Sequence, residues 1–477
     1  MTLEDKYLIK PFDNLINSKS YATKNNTFNL IVGTTGLGKT YTTFTHYIPE
    51  LIDKFNLDGV IFSYPFTEVF DETEAWKIVI ESAKRGKPVV IAYNIHQYES
   101  ALDSGTIPVL AVTHQYLINN KNKYFIDKIV SKGWNTAWFV DEPHTWLACS
   151  HYSNYADTTG CFSPDYNASL YKLVSKLSRV SPHIYGTTAT PTNEHKHIVE
   201  PFGDMKFNVI NEYPTTKEML SRSGWMGSVS YFDLENRDAV VDNFVEALNR
   251  LYHVNENFGK RVMMVTCEAQ NGSNGWDIEN VLEAIKYYFV GKIQEGYDPR
   301  DDVAILTADQ KGYRHFMEVP GLKDRYTMKT FTKAEEKDVM SNLNDPDHPC
   351  KIVLVIEKGK CGMNVMPLKS YFSFRKTDKK TTVKLGRESI TNNAIQTVGR
   401  MMRIWTGNSK KDFVNKWGYD LTDYVKSLNS VERRQLLELN SYDVFVPDVD
   451  MWKAAINTIT SYLNPTKTMA ETWIVNQ

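Results

Sequence analysis

Short runs of β-branched and aromatic residues alternate along this chain with longer segments whose apolar residues recur at helical spacing. In the first half the runs fall at Phe28–Val32, Gly59–Ser63, Pro88–Tyr93, Val109–Thr113, Ala137–Asp141 and His183–Thr187, with amphipathic segments such as Tyr41–Lys54 and Asp71–Arg85 between them. Nearly unbroken apolar runs predict strands buried on both faces. Strand–helix alternation predicts an α/β fold with a doubly wound parallel sheet. The pattern then restarts. Strands are expected at Val229–Asp233, Arg261–Thr266, Val303–Thr307, Lys351–Ile356 and Ser370–Phe374. Helices are expected at Asn236–Asn255, Trp276–Ile293, Lys333–Leu343 and Thr391–Arg403. Between the two patterns, Pro214, Gly224 and Gly227 stand among Ser and Thr residues, the composition of a connection. The expected organisation is a first domain over 1–212, a linker over 213–228, a second domain over 229–421 and a mostly helical extension over 422–477.

The 477 residues suffice for a core in each domain. Lys and Arg number 55 against 57 Asp and Glu, a net charge of −2, so any polyanion must be met by a local positive region. One exists: residues 358–411 hold 13 lysines and arginines but only Asp378 and Glu388 as acids. The five cysteines include no C-x-x-C pair, and Cys149, His151 and Cys161 lack zinc-ligand spacing, so free thiols in a reducing compartment are expected. The N-terminus has no signal-peptide pattern and no apolar run reaches the ~20 residues of a membrane span. An intracellular protein without a membrane partner follows.

Four segments carry chemistry. The first is GTTGLGKT, Gly33 to Thr40, after one predicted strand and at the start of a helix, the context of a phosphate-cradling loop. Gly33, Thr35, Gly36 and Gly38 let backbone N–H groups face phosphate oxygens, Lys39 reaches the β- and γ-phosphates, and Thr40 suits Mg²⁺. The second is WFVDEPHTW, in which a strand ends on Asp141, suited to Mg²⁺, and Glu142, suited to orienting water as a base. The third is YGTTATPT, Tyr185 to Thr192. The fourth is NAIQTVGRMMR, where Arg400 and Arg403 share one helix face and suit charge on a transferring phosphoryl group.

The order GxxGxGKT, DEPH, TATP and QxxGRxxR resembles that of superfamily 2 helicases, over about Phe28 to Arg403. The resemblance implies two tandem RecA-like lobes that use ATP and Mg²⁺ and move on nucleic acid. It implies Lys39, Glu142, Gln396, Arg400 and Arg403 as catalytic groups, Gly362 and Asn364 in the fifth motif as nucleotide contacts, and His144, Thr188 and Thr190 as coupling residues. SYPFTEV and VTHQYL resemble motifs Ia and Ib, VMMVTCE lies where motif IV is expected, and EKGKCGMNV resembles motif V. Pro65, Thr67, Thr113, His114, Thr266, Lys358 and Lys360 are the implied backbone contacts, which position a strand without reading its bases.

The chain departs from the DEAD-box pattern: DEPH replaces DEAD, TAT replaces SAT, Gln396 stands where that group has His, and no adenine-reading glutamine motif precedes Gly33. These differences favour DNA over RNA and resemble the motors of restriction enzymes. Pro447-Asp448 lacks the acidic-x-Lys pattern of a nuclease. Lys379 and Lys380 belong to RKTDKKTTVKLGR, Arg375 to Arg387, which has no apolar period and reads as a loop contacting phosphates. Tyr152, Tyr155, Phe162 and Tyr166 mark a second segment, Ala148 to Leu170, either a loop packed by its own aromatics, the favoured reading, or a stacking surface for bases, and Trp76 and Trp225 read as packing residues. The expected function is an ATP-driven helicase on single-stranded or duplex DNA, with RNA open. A duplex translocase that does not separate strands and an ATP-switched clamp that recruits a protein are the alternatives, and Val449 to Gln477 is the candidate protein-docking segment. The many Asn, Lys and Tyr residues suit an A+T-rich genome such as that of a phage or virus.

Overall fold

In a computed structural model of the chain, the described residues are 5–21, 25–33, 37–65, 72–119, 121–122, 124–143, 164–188, 206–210, 227–268, 275–307, 311–317, 327–332, 335, 339, 342–356, 365–375, 399–401, 403–408, 424, 427–450, 452–453 and 456. The chain divides into two compact units. The first comprises Met1–Pro214 with Lys379–Asn392, the second Thr215–Asp378 and Asn393–Gln477.

The first unit is built on β1 (Thr27–Val32), β2 (Gly59–Tyr64), β3 (Val89–Ala92), β4 (Ile107–Thr113), β5 (Thr136–Asp141), β6 (Ile184–Thr188) and β7 (Lys206–Val209). They form one sheet in the order β3-β4-β2-β5-β6-β1-β7, and every pairing is parallel. Because strand side chains alternate, successive residues feed two cores. Leu30, Ile61, Leu110 and Trp138 face one side, packed by helices that include Ile95–Asp103, Tyr124–Lys132 and Pro164–Ser178. Ile31, Val60, Phe62 and Phe139 face the other, covered by Leu8 and Phe12 of the N-terminal helices and by Phe44, Tyr47 and Leu51 of the helical run after β1. That run, from Lys39 to Phe55, widens to a π turn at Thr43–Tyr47.

The second unit is built on β8 (Gly227–Phe232), β9 (Val262–Thr266), β10 (Val303–Leu306), β11 (Lys311–His315), β12 (Thr327–Thr330), β13 (Ile352–Val355), β14 (Leu368–Ser373) and β15 (Tyr442–Pro447). Their order is β12-β11-β10-β13-β9-β14-β15-β8. The sheet is parallel except for β10-β11-β12, an antiparallel flap at one edge. Met263, Ile305, Leu354 and Phe372 pack beneath helices Arg237–Asn257 and Ile278–Gln294.

The doubly wound parallel core is thus found in both units, with each expected strand within a few residues of its place. Among the described residues of 422–477, helix Ser430–Asn440 is joined by β15, an interior strand between β14 and β8 that the sequence reading did not single out. Tyr442, Val444, Phe445 and Val446 are fully buried there, which a β-branched and aromatic run favours. Strands β7, β11 and β12 are also additions. Helix Pro164–Ser178 starts inside the stretch read as an aromatic loop, and Tyr152, Tyr155 and Phe162 lie outside the described residues. Trp76 is not a packing residue, since it is 48% exposed; Trp225 lies outside the described residues.

Candidate nucleotide site

Three adjacent parallel strands of the first unit end side by side, β5, β6 and β1, and the first two motifs with the start of the third lie at those ends. Gly33 follows β1. Its N–H donates to the Thr188 carbonyl at 3.0 Å, and a Cβ there would meet Leu8, Leu37 and Lys39 atoms at 3.1 to 3.2 Å. Gly38 holds φ at +88°, a left-handed conformation that glycine adopts without steric penalty, and turns the chain into the helix at Lys39. Lys39 folds back so that its amine donates to the Gly33 carbonyl at 2.7 Å.

Asp141, the last residue of β5, and Glu142 just after it are each held by a threonine of β6. The Thr187 hydroxyl donates to Asp141 Oδ1 at 2.7 Å, and the Thr188 hydroxyl donates to Glu142 Oε2 at 2.9 Å. The register pairs Asp141 with Thr187 and Val32 with Thr188, so strand pairing itself sets these contacts. Glu142 has φ of +49°, rare for a residue with a Cβ and the kind of local strain that clusters at functional sites. A continuous path results: Lys39 to Gly33, Gly33 to Thr188, Thr188 to Glu142.

The structure therefore brings together Gly33, Gly38, Lys39, Asp141, Glu142 and Thr188, with Thr40 in the first turn of the helix. Thr187 was not singled out from the sequence, although it stands inside the TTAT segment. Thr35, Gly36, Thr67, His144, Thr190, Lys358, Lys360, Gly362, Asn364, Lys379, Lys380 and Gln396 lie outside the described residues.

Four of the residues expected to contact a strand are among the described residues. His114 is fully buried, with Nε2 at 3.0 Å from the Asp141 carbonyl, so its ring supports the end of β5 and is not exposed to a strand. The Thr113 hydroxyl caps helix His114–Ile118 by accepting from the Tyr116 N–H. Thr266 is buried on β9, its hydroxyl 3.0 Å from that of Tyr371. Pro65, which follows β2, is buried.

In the second unit Arg400 is buried and Arg403 half-buried. Burial, and then the neighbouring Arg400 cation, push the Arg403 guanidinium down to about 9. Such a site disfavours added positive charge and favours an anion. Among the described residues no group of His, Cys, Asp and Glu forms a metal cluster, and Cys267 and Cys350 are buried free thiols. No helix among the described residues is long and apolar enough to cross a membrane.

Residues 5–192 match the model of the family described as Type III restriction enzyme, res subunit. No curated protein matches the chain. Several solved structures share the fold. Helicase Lhr of Mycobacterium smegmatis, solved with ssDNA and AMP-PNP, superposes with a TM-score of 0.50 at 13% identity over 97% of this chain and 51% of its own. A putative HsdR subunit of a type I restriction enzyme from Vibrio vulnificus gives 0.51 at 13% identity over 95% of this chain and 65% of its own. The DUF1998 helicase MrfA, solved with DNA and AMPPNP, gives 0.52 at 10% identity over 98% and 50%. The chain thus spans less than two thirds of the length of each. Over residues 5–192 the chain is thus similar to the family described as Type III restriction enzyme, res subunit, and its fold is shared with these solved structures.

Proposed function

We propose that the protein is a nucleic-acid-stimulated ATP hydrolase that moves along a strand, DNA in preference to RNA. The path from Lys39 through Gly33 and Thr188 to Glu142 carries this reading, because it ties the phosphate-binding lysine to the candidate base. In the proposed reaction the backbone of residues 33–38 and Lys39 hold the phosphates of ATP. Glu142 orients the attacking water and takes its proton, while Thr188 fixes which oxygen faces the water. Thr187 restrains Asp141. The all-oxygen donor set of Thr40 and Asp141 fits Mg²⁺, which when bound would neutralise phosphate charge. Arg400 and Arg403, with Gln396, complete the charge stabilisation from the second lobe, and Thr190 and His144 relay the nucleotide state. Alternating grip of the two lobes, proposed over 1–212 and 229–421, then advances the track. With His114 and Thr266 buried, we assign strand contact to Thr67, Lys358, Lys360, Lys379 and Lys380. The res-subunit match favours a second reading, translocation along duplex without strand separation.

Steady-state ATP hydrolysis with single-stranded DNA, duplex DNA and RNA, and with Glu142→Gln as control, tests the proposal. Stimulation by one polymer that vanishes in Glu142→Gln is expected. Hydrolysis indifferent to every polymer would leave an ATPase and overturn the motor reading. Alanine at Lys379, Lys380 and Lys384 should flatten the salt dependence of polymer binding, because each lost phosphate contact lowers the slope by about one unit.

A further inference from the structure

Lys369 lies on an interior strand of the second unit, between β9 and β15, and its residue is completely buried. A lysine in such a place is costly, and an aliphatic side chain of similar volume would fill it more cheaply. Two observations explain what the amine does there. The pairing of β14 with β9 slips at this point, so that Leu368 faces Val262 and Ser370 faces Met263, leaving Lys369 out of register. Such a bulge turns a side chain away from its alternating direction. Its Nζ then donates to the Met401 carbonyl at 2.8 Å and to the Arg403 carbonyl. Burial, with Arg261 and Arg403 nearby, pushes the amine well below its usual range.

The segment just beyond is held as firmly. The Trp405 N–H donates to Asn440 Oδ1 at 2.7 Å, and Asn440 Nδ2 donates back to the Trp405 carbonyl at 2.7 Å. The Trp405 indole donates to the Lys260 carbonyl at 2.9 Å. Backbone carbonyls and amides from 401 to 405 are thus bonded to side chains of β14 and of helix Ser430–Asn440. The arginine-bearing segment is anchored by its main chain.

We infer that Lys369 is a positioning residue for Arg400 and Arg403: the bulge on β14 aims its amine at the carbonyls of their segment and sets where the two guanidiniums stand. This rests on the reading of those arginines as groups that act on ATP, and the test separates the two.

Full-length Lys369→Met is compared with wild type, Arg403→Ala and the double variant in polymer-stimulated hydrolysis, with thermal unfolding alongside. Lys369→Met should lower kcat by about tenfold or more, because small misplacements of catalytic groups are expensive, while KM for ATP moves by less than about threefold. Its unfolding midpoint should stay level or rise, since a buried amine has been removed. Added to Arg403→Ala it should cause no further loss, and Lys369→Gln, which keeps an N–H donor, should recover part of kcat. Should Lys369→Met fail to purify as folded protein, Lys369→Gln and Lys369→Leu carry the same comparison. A kcat within about twofold of wild type overturns the inference, as does an equal loss on the Arg403→Ala background, which marks a merely structural role. Full activity of Arg403→Ala alone overturns the arginine reading itself, and the inference with it.

Discussion

Replacing Thr188 by Val removes one hydroxyl and leaves shape, volume and strand propensity almost unchanged. Thr188 is fully buried and donates to Glu142 Oε2 at 2.9 Å. A hydrogen bond to a carboxylate is worth about 1.5–3 kcal/mol, and a tenfold rate change corresponds to about 1.4 kcal/mol. If the bond acts by orienting the base, kcat should fall by roughly 10- to 150-fold. Stability should fall by less than about 1.5 kcal/mol, because half-buried Glu142 can recruit water in place of the lost donor. Steady-state kcat and KM, measured beside urea unfolding, separate the two effects. Thr187→Val is the companion variant, and it should weaken the Mg²⁺ dependence through Asp141, whose Oδ1 it bonds. A Thr188→Val enzyme with kcat within about twofold of wild type, while Glu142→Gln is dead, would refute the argument that this hydroxyl positions the base.

Lys39→Met should reduce hydrolysis to background and weaken ATP binding by calorimetry; because it also removes the bond to the Gly33 carbonyl, the nucleotide-free protein should lose about 0.5–1.5 kcal/mol of stability. Near-normal turnover in that variant would refute the site. Gly227→Ala should destabilise the second unit by about 1–3 kcal/mol, since the new methyl would collide with the Tyr442 ring, and an unchanged denaturation midpoint would show that the ring moves aside freely. His183, 2.8 Å from the Tyr21 hydroxyl, is held by burial at about 4 rather than 6.5. The unfolded chain therefore takes up the proton first: the contribution is complete above about pH 6.5 and is lost as pH falls toward 4, about 3 kcal/mol in all. Urea unfolding between pH 7.5 and 5 should show the loss and His183→Gln should flatten it; equal slopes would refute the assignment.

The interior strands were legible because burial on both faces demands continuous apolar runs, as in β2 and β5. What the sequence concealed was polar or short. Strand β11 reads Lys-Gly-Tyr-Arg-His, and its partner β12 is four residues long, so neither carries a period-2 signal. Strand β15 had the signal, in Val444, Phe445 and Val446, but it follows a helix-rich stretch and pairs with residues far away in sequence. At the site, local motifs disclosed the phosphate loop and the Asp141–Glu142 pair. The hydroxyl on Glu142 and the burial of His114 depend on the neighbouring strands, and no local pattern reports them. Lys369 is the extreme case: nothing in Leu-Lys-Ser-Tyr-Phe-Ser distinguishes a buried lysine from a solvated one.

The interior position of β15 also constrains how the protein is made. Strand β8 leaves the ribosome first, yet among the described strands its one partner is β15, with Gly227 opposite Tyr442. The residues between them take roughly 10 to 40 s to synthesise at about 5–20 residues per second. Throughout that interval β8 is an unsheltered strand, open to pairing with other nascent chains. Vectorial folding can complete the sheet of the first unit early, whereas that of the second must wait for β15, which makes it the sheet that depends on chaperone protection.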